Sequence, residues 1–267
     1  MNNPYLDLTE EFNQGRLRAL LSSGQAVVVH RLAIMSKDGD WILREDEEAV
    51  RHVLETLSRK GAFYRFGAPL NLRWLAGGWS SHFELRPEGL RLRTDFVTRP
   101  PRISPEQLAR MWEEAEATRT DVVALEPLAA LKLTNREKDY AVVGELARLM
   151  TEPRQQFLYS RSSRDLMELA RAHPAELAEA IRRRPLLACI AEGREALEDA
   201  LDRERRALMH ANEERLARYQ AAAEGWANLW REGQRRIEGM PLLEAHRWLV
   251  SRAEGVLPFE PSGGTES

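Results

Sequence analysis

Ser36-Lys37-Asp38-Gly39-Asp40-Trp41-Ile42-Leu43 is a short stretch in which two acids stand directly before three apolar residues. The apolar end predicts a buried β-strand, and on a strand residues two apart project to the same face. Asp38 and Asp40 would therefore lie side by side, and their like charges repel each other unless a cation binds them. A DxD pattern also occurs in exposed turns, so the stretch alone allows either a metal site or a solvated turn.

Predicted strands and predicted helices surround this stretch, up to about residue 155. Apolar runs bounded by turn residues predict strands, and apolar residues at helical spacing predict helices. Ser104-Pro105 with Gln107 three residues after Ser104 is typical of a capping box, so a helix should begin there. The mixture predicts an α+β domain with a mixed sheet. We expect strands at 26–30, 38–43, 70–75, 81–85 and 90–97, and helices at 6–21, 45–60, 126–132 and 138–150.

The remainder of the chain has the pattern of helix almost throughout. We therefore expect an α+β domain over residues 1–157, an all-α helical domain over 158–258 and a disordered tail over 259–267. Trp226 and Trp230 are four residues apart, which favours an apolar helix stripe that packs in a core or against a helical partner.

A heptad-like seam runs through the proline-free part of this helical half. Because the stretch is long, we expect it to bend at Gly193, Gly225 or Gly233. The seam could pair with a helical partner protein, with a second copy of the chain as a homodimer, or with another helix of the same chain. Its members are Leu187, Ile190, Leu197, Leu201, Leu208 and Ala211.

Charge and composition exclude several classes of protein. The 267 residues include 39 Lys+Arg and 42 Asp+Glu, a formal net charge of −3, and 43% are hydrophobic. This apolar fraction suffices for a folded core, and the absence of a basic excess argues against a protein that coats nucleic acid without specificity. The single Cys189 cannot form an intrachain disulfide. No signal peptide and no run of about 18 apolar residues is present, so we expect a cytoplasmic protein that does not enter membranes.

A third acid, Asp95, lies in Leu90–Val97, where apolar and polar residues alternate. This period of two is typical of a half-buried strand. Three carboxylates that converge from neighbouring strands are the oxygen ligands by which a pair of Mg²⁺ ions aligns a nucleophile and a leaving phosphate. Asp38, Asp40 and Asp95 are therefore predicted as a divalent-metal site, with an acidic cluster that binds no metal as the alternative.

The order of these elements resembles the nucleotidyltransferase superfamily with the polymerase-β-like fold. In both, a helix follows the DxD strand and a later strand carries a third Asp. Lys132, followed by Arg136-Glu137-Lys138-Asp139, adds to the resemblance. Small prokaryotic members related to abortive-infection and toxin–antitoxin nucleotidyltransferases place a lysine helix and then an Arg-x-Lys-Asp segment after the core. The resemblance covers roughly residues 15–155 and implies a nucleotidyltransferase-like mixed sheet with flanking helices.

The resemblance also implies a reaction. A nucleoside monophosphate would be transferred from an NTP to a hydroxyl of RNA or protein, with Mg²⁺ or Mn²⁺ as the metal. Asp38 and Asp40 would bind the metal, and Asp95 would complete the site or act as the base, which makes all three catalytic. The residues implied in nucleotide binding are Arg31, Ser36, Lys37, Lys132 and Lys138.

Members of the superfamily carry Gly-Ser or Gly-Gly after the first strand, where backbone N–H groups approach the phosphates. After the predicted first strand, the residues here are His30-Arg31, and six residues separate Arg31 from Asp38. The alternative to an active enzyme is therefore a catalytically degenerate interaction module that acts through its helical domain.

The glycine-rich stretch Gly77–Phe83 permits two interpretations. It is either a nucleotide-facing loop with His82 as a hydrogen-bond donor, or a plain turn under a packed aromatic residue. Neither Ser80 nor Ser81 lies in a nucleophile-elbow pattern, so the sequence gives no support to serine chemistry.

Overall fold

The computed structural model of the chain describes residues 3–134 and 136–261. The chain forms two compact units. The first consists of Met1–Val123 together with Leu216–Ser267, and the second consists of Ala124–Arg215. The first unit contains a β-sheet, whereas the described residues of the second unit are helical apart from their connections.

A five-stranded mixed sheet forms the centre of the first unit. Its strands are β1 (Ala19–Ser22), β2 (Asp38–Leu43), β3 (Phe63–Tyr64), β4 (Ser81–Leu85) and β5 (Leu92–Val97). They lie in the order β1-β2-β5-β4-β3. Strands β2 and β5 are parallel, and the other neighbouring pairs are antiparallel.

Helices precede, connect and follow these strands up to residue 118. They are α1 (Pro4–Phe12), α2 (Ser23–Val29), α3 (Glu47–Arg59), α4 (Leu72–Leu75) and α5 (Pro105–Thr118). The predicted capping box at α5 is confirmed, because the Ser104 side chain accepts from the Gln107 N–H and the Gln107 side chain accepts from the Ser104 N–H. Asp46 caps α3 in a similar way, since its carboxylate accepts from the Ala49 N–H over 2.7 Å.

The second unit is built around a small apolar core. Its elements are α6 (Leu125–Leu131), α7 (Glu137–Leu149), α8 (Pro153–Tyr159), α9 (Ser163–Ala172), α10 (Pro174–Arg183), the 3-10 helix Pro185–Glu192 and α11 (Arg194–Ala222). The boundary between the units along the chain falls within α11. The buried core residues are Phe157, Leu166, Ala180, Leu187 and Leu197.

Two further helices return the chain to the first unit, namely α12 (Glu224–Ile237) and α13 (Leu242–Ala253). Trp226 and Trp230 of α12 belong to the core that also contains the sheet residues Trp41 and Phe96. The rings of Trp41 and Phe96 stack with centroids 5.4 Å apart. The Trp stripe predicted from the sequence therefore packs in a core, and the final helices complete the sheet unit.

The α+β class and the mixed sheet are confirmed, but the first elements differ from those predicted. Residues 6–21 do not form one helix, because α1 ends at Phe12 and the chain then enters β1. The side chain of Asn13 accepts from the N–H groups of Arg18 and Ala19, both over 2.8 Å, and so fixes the turn between them. Residues 26–30, predicted as a strand, lie in α2 and at its C-cap. Such short apolar runs do not reveal their period.

The element predicted at residues 70–75 is also different. Asn71 caps α4, since its side chain accepts from the Arg73 N–H over 3.0 Å, so the predicted strand is a short helix. Strand β3 has only two residues, which are too few to show the alternation of apolar and polar residues that predicts a strand. The long predicted helix does bend at Gly193, which has a φ of 108°, and it breaks again at Ala223.

The compact units do not coincide with the domain limits expected at 157 and 258, because α12 and α13 pack on the sheet. In the seam, Leu187 and Leu197 are fully buried in the second unit, so this part of it packs within the chain. In the expected tail, Phe259 packs on Trp74 with ring centroids 5.1 Å apart, and residues 262–267 lie outside the described residues.

No helix within the described ranges is both long enough and apolar enough to cross a bilayer.

Candidate functional site

One row of directly opposed residues crosses the sheet at the level of Asp40. Asp40 lies opposite Asp95 of the parallel strand β5, and Asp95 lies opposite His82 of β4. On the other side, Ser22 of β1 lies opposite Asp40 and its hydroxyl donates to the Asp40 carbonyl oxygen over 3.2 Å. The row continues past His82 to Arg65, whose backbone N–H donates to the His82 carbonyl oxygen over 2.8 Å. Directly opposed strand residues project to the same face, so the row brings these side chains together.

Core packing on the other face holds this row in place. Trp41 and Phe96 follow the two aspartates along their strands, and Phe83 follows His82. All three are fully buried. Since successive strand residues point to opposite faces, burial of these rings turns the polar row away from the core.

Asp95 already has two partners. Its Oδ1 is 2.6 Å from Nδ1 of His82 and 3.6 Å from Nη1 of Arg65. The second ring nitrogen of His82, Nε2, is 2.8 Å from Oγ of Ser80. Ser80, His82 and Asp95 thus form a continuous chain of hydrogen bonds in the order hydroxyl, imidazole, carboxylate.

Asp38 lies in the next row, where it is opposite Arg93 of β5. Its Oδ1 is 3.8 Å from Nη1 of Arg93, which is an ion-pair distance but too long for a hydrogen bond. This oxygen is buried and has no hydrogen-bond partner. A buried acceptor without a partner is costly, so this atom is suited to bind a cation.

The same row ends in a cluster of opposite charges. Glu84 of β4 is opposite Arg93 and is only 1% exposed. Arg91 and Arg86 contact its carboxylate at 2.6 and 2.8 Å. Burial by itself raises the pKa of Glu84, but the hydrogen bonds and positive charges of Arg91 and Arg86 outweigh burial and lower that pKa. The acids of β2 therefore face a sheet region rich in arginine.

The side chains present fit a divalent cation in part. Asp38 and Asp40 offer hard oxygen donors, and the unpartnered oxygen of Asp38 favours a cation there. The described residues contain no group of three or more His, Cys, Asp or Glu arranged for metal binding. Asp95 directs its Oδ1 to His82 instead. The three-carboxylate metal site stays a prediction.

A neighbouring segment fixes the backbone around Ser80 and His82. The Ala68 N–H donates to the Ser80 carbonyl oxygen over 2.9 Å, and the Ser81 hydroxyl donates to the Ala68 carbonyl oxygen over 2.8 Å. Gly67 packs so closely on the His82 ring that an added Cβ would collide with Cδ2. A residue larger than glycine at position 67 would therefore not fit beside the His82 ring.

The turn after the first strand is not the one that the sequence predicted. Because β1 ends at Ser22, the residues that follow the first strand are Ser23-Gly24, and His30-Arg31 comes after α2. Ser23 has a left-handed φ of 50°, and Gly24 lies so close to the Ser36 hydroxyl that a Cβ would collide with it. Thirteen residues separate Gly24 from Asp38. The turn after the first strand is therefore Ser23-Gly24 and not the predicted His30-Arg31.

The nucleotide-binding candidates of the first unit lie on the connection from α2 to β2. His30, at the C-cap of α2, has its Nε2 3.0 Å from the Val123 carbonyl oxygen. Arg31 is exposed and has a φ of 61°. The Ser36 hydroxyl donates to the Asp38 carbonyl oxygen over 3.3 Å, and Lys37 is exposed next to the aspartates.

The remaining candidates belong to the second unit. Lys132 and Asp139 are both buried, with Nζ and Oδ1 3.6 Å apart. Thr134 donates to Asp139 Oδ2 over 2.6 Å, and Arg136 donates to the same oxygen over 2.8 Å. Burial by itself raises the pKa of Asp139, but these partners outweigh it and lower the pKa. Lys138, in contrast, is exposed on the first turn of α7. The nucleotide contacts of Lys132 and Lys138 stay predictions.

Sequence reasoning did not connect Ser80 and Arg65 with the aspartates. The signal available for Ser80 was its spacing of two residues from His82, which places both on one face of an extended chain. For Arg65 no signal existed, because β3 was not predicted.

Comparisons with known proteins give limited similarity. No protein-family model matches the chain, and no curated protein matches it. A solved structure from H. pylori described as a "putative nucleotidyltransferase" aligns with 80% of this chain and 98% of its own, at 12% identity and a TM-score of 0.35. The structure of JHP933 from Helicobacter pylori aligns with 83% of this chain and 98% of its own, at 10% identity and a TM-score of 0.34. TM-scores below 0.5 do not establish a common fold, so these similarities carry no weight for function.

Proposed function

We propose that this chain binds a nucleoside triphosphate on the polar face of its sheet and transfers the nucleoside monophosphate to a hydroxyl, as nucleotidyltransferases do. The observation that carries the proposal is the register of β2 and β5, which sets Asp40 directly opposite Asp95 with Asp38 two residues away on the same face. An acid pair on one strand and a third acid on its parallel neighbour is the arrangement that the resemblance implies.

The residues after the first strand support the same proposal. Ser23-Gly24 follows the first strand, in the reverse order of the superfamily's Gly-Ser, and thirteen residues separate Gly24 from Asp38. Arg31, Ser36 and Lys37 lie on the following connection and are proposed to contact the nucleotide. Within the superfamily, the Lys132–Asp139 motif is most similar to members related to abortive-infection and toxin–antitoxin systems.

Mg²⁺ or Mn²⁺ is the proposed metal, and Asp38 and Asp40 would hold it. When bound, it would neutralise phosphate charge and favour departure of pyrophosphate. The resemblance implies two alternative roles for Asp95, as a third metal ligand or as the base. Its contacts with His82 and Arg65 favour a role in proton transfer, in which Asp95 acts through His82 and not on the metal.

A degenerate interaction module is the second candidate function. The observation that favours it is the arginine next to Asp95, because an Arg65–Asp95 ion pair could take the place of bound metal and nucleotide. The buried part of the heptad-like seam weakens it, since Leu187 and Leu197 are not available to a partner helix.

The test measures binding of each of the four NTPs, with Mn²⁺ present, by isothermal titration calorimetry. Asp40→Asn removes one charge from the centre of the row and should weaken binding at least about 10-fold. Asp199→Asn is the matched control, because Asp199 is exposed on α11 in the other unit. Equal affinities of the two variants, or no NTP binding by the unmodified chain, would count for the interaction module.

A further inference from the structure

We propose that Ser80 is a covalent acceptor, so that the protein transfers a nucleotidyl group to its own side chain. The inference rests on the proposed function, because an NTP on the same sheet face is the donor. The acceptor hydroxyl, which the proposed function leaves open, is here the Ser80 side chain of the protein itself.

A chain of hydrogen bonds joins Ser80 to Asp95 through His82. Ser80 Oγ lies 2.8 Å from His82 Nε2, and His82 Nδ1 lies 2.6 Å from Asp95 Oδ1. In this order the carboxylate holds the imidazole in the tautomer whose free nitrogen accepts the hydroxyl proton. The arrangement therefore suits a nucleophilic hydroxyl.

The hydroxyls of Ser22 and Ser81 have partners of a different kind from that of Ser80. The Ser22 hydroxyl donates to the Asp40 carbonyl oxygen, and the Ser81 hydroxyl donates to the Ala68 carbonyl oxygen. Both of these are bound to backbone acceptors, which do not take up a proton. Ser81 is also fully buried, whereas Ser80 is partly exposed.

The backbone around Ser80 and His82 is preorganised by neighbouring residues. The backbone of Ser80 and His82 is fixed by the hydrogen bonds from Ala68 and Arg65, and Gly67 packs on the His82 ring. A nucleophile that is held in place before the donor arrives loses little entropy in the reaction.

The separation between Asp40 and His82 decides whether a nucleotide bound at Asp40 can extend to Ser80. His82 and Asp40 lie in the same row with β5 between their strands. Two strand spacings amount to about 10 Å, a distance that a single bound NTP can span. A nucleotide held at Asp40 can therefore present its α-phosphate to the region of Ser80.

Ser80 Oγ attacks the α-phosphorus, and a bond forms between them as the proton of the hydroxyl passes to His82 Nε2. The bond between the α-phosphorus and the oxygen that bridges to the β-phosphorus breaks. Pyrophosphate leaves with the electron pair of that bond, and the nucleoside monophosphate remains as a phosphodiester on Ser80.

The experiment incubates the full chain with each NTP labelled at the α-phosphate, together with Mn²⁺, and follows label retained on the denatured protein. Fragment mass spectrometry of the tryptic peptide then distinguishes Ser80 from Ser81. We expect label on Ser80, its loss in Ser80→Ala, and a rate about 100-fold lower in His82→Gln, which cannot take up the proton. Ser251→Ala is the control, because Ser251 is exposed on α13 and its hydroxyl donates to the Trp248 carbonyl oxygen.

Calorimetry of NTP binding on the same samples separates the two proposals. If Ser80→Ala binds NTP like the unmodified chain and melts at the same temperature, loss of label is loss of the acceptor. Undiminished labelling of Ser80→Ala, or NTP binding with no label on Ser80, would overturn the inference and leave the proposed function standing. Failure of the unmodified chain to bind any NTP would overturn both.

Discussion

Tyr64 of β3 and His246 of α13 share a hydrogen bond, with Oη and Nδ1 2.8 Å apart, and their rings stack at an interplanar angle of 12°. The Leu70 N–H donates to the same Tyr64 oxygen over 3.0 Å. The pair thus ties a C-terminal helix to the edge of the sheet.

The pair predicts a loss of stability in mild acid. Burial, together with the charge of Arg247, lowers the pKa of His246 to about 4, whereas an unfolded chain binds the proton near pH 6.5. The stabilisation is complete above about pH 6.5 and decreases as the pH falls towards 4, because only the unfolded state gains a proton there. Its full size is up to about 3 kcal/mol.

Urea unfolding of the chain and of His246→Phe at a series of pH values between 7.5 and 4.5 measures this effect. The unfolding free energy of the unmodified chain should decrease, relative to that of His246→Phe, as the pH falls. His210→Gln serves as the control, since His210 is exposed and pairs with Glu214 on α11. A difference that does not depend on pH would show that the pKa of His246 is the same in the folded and the unfolded chain.

Asp38→Asn should separate stability from metal binding. The buried Oδ1 of Asp38 has no hydrogen-bond partner, so removal of its charge should leave the melting temperature unchanged or raise it. The same change removes a metal ligand and should weaken Mn²⁺ binding at least about 10-fold, measured by electron paramagnetic resonance. Unchanged Mn²⁺ affinity would remove Asp38 from the proposed metal site.

Gly67→Ala should disturb His82 without any change in a charged group. The added Cβ would collide with His82 Cδ2 and lie 3.0 Å from the Ser80 carbonyl oxygen. We expect a loss of about 1–3 kcal/mol in unfolding free energy, from chemical denaturation. Gly255→Ala is a matched control, because nothing lies within 4 Å of its added Cβ, and its effect should stay within about 0.5 kcal/mol. Equal effects of the two variants would show that the His82 ring moves freely.

Trp226→Ala should destabilise the sheet unit although Trp226 lies far along the chain from the strands. The side chain is 1% exposed, and its Nε1 donates to the Gly67 carbonyl oxygen over 2.9 Å. The expected loss is about 3–5 kcal/mol in urea unfolding. Trp226→Phe keeps most of the apolar volume and should lose only about 1–2 kcal/mol, mainly through the unpaired carbonyl. A small effect of both changes would mean that α12 is not part of this core.

The sequence predicts those parts of the fold that local patterns specify. Asp95 alternates with apolar neighbours, and Asp38 and Asp40 precede an apolar run, so both strands could be predicted. Their parallel pairing with Asp40 opposite Asp95 is a tertiary property, and no local pattern contains it. The same is true of Trp226 and Gly67, which are 159 residues apart.

Short apolar segments are where prediction went wrong. Ala26-Val27-Val28-Val29 has strong β propensity, yet it forms a helix whose Ala26 and Val27 are buried. Ala19–Ser22 is a strand in which every residue is buried, so it shows no alternation. Because the predicted first strand lies later in the chain than β1, the sequence places the turn at His30-Arg31, whereas the structure has it at Ser23-Gly24.

The division of the first unit along the chain has a consequence for biosynthesis. Residues Ala124–Arg215 are made before α12 and α13, so the ribosome completes the helical unit while the sheet still lacks its last partners. Until then Trp74 and Trp79 have no acceptors for their indole N–H groups, which in the finished protein donate to the carbonyl oxygens of Leu257 and Pro258. A transcript cut short before these residues would therefore yield a protein with an exposed aromatic core, which is a substrate for chaperones and proteases.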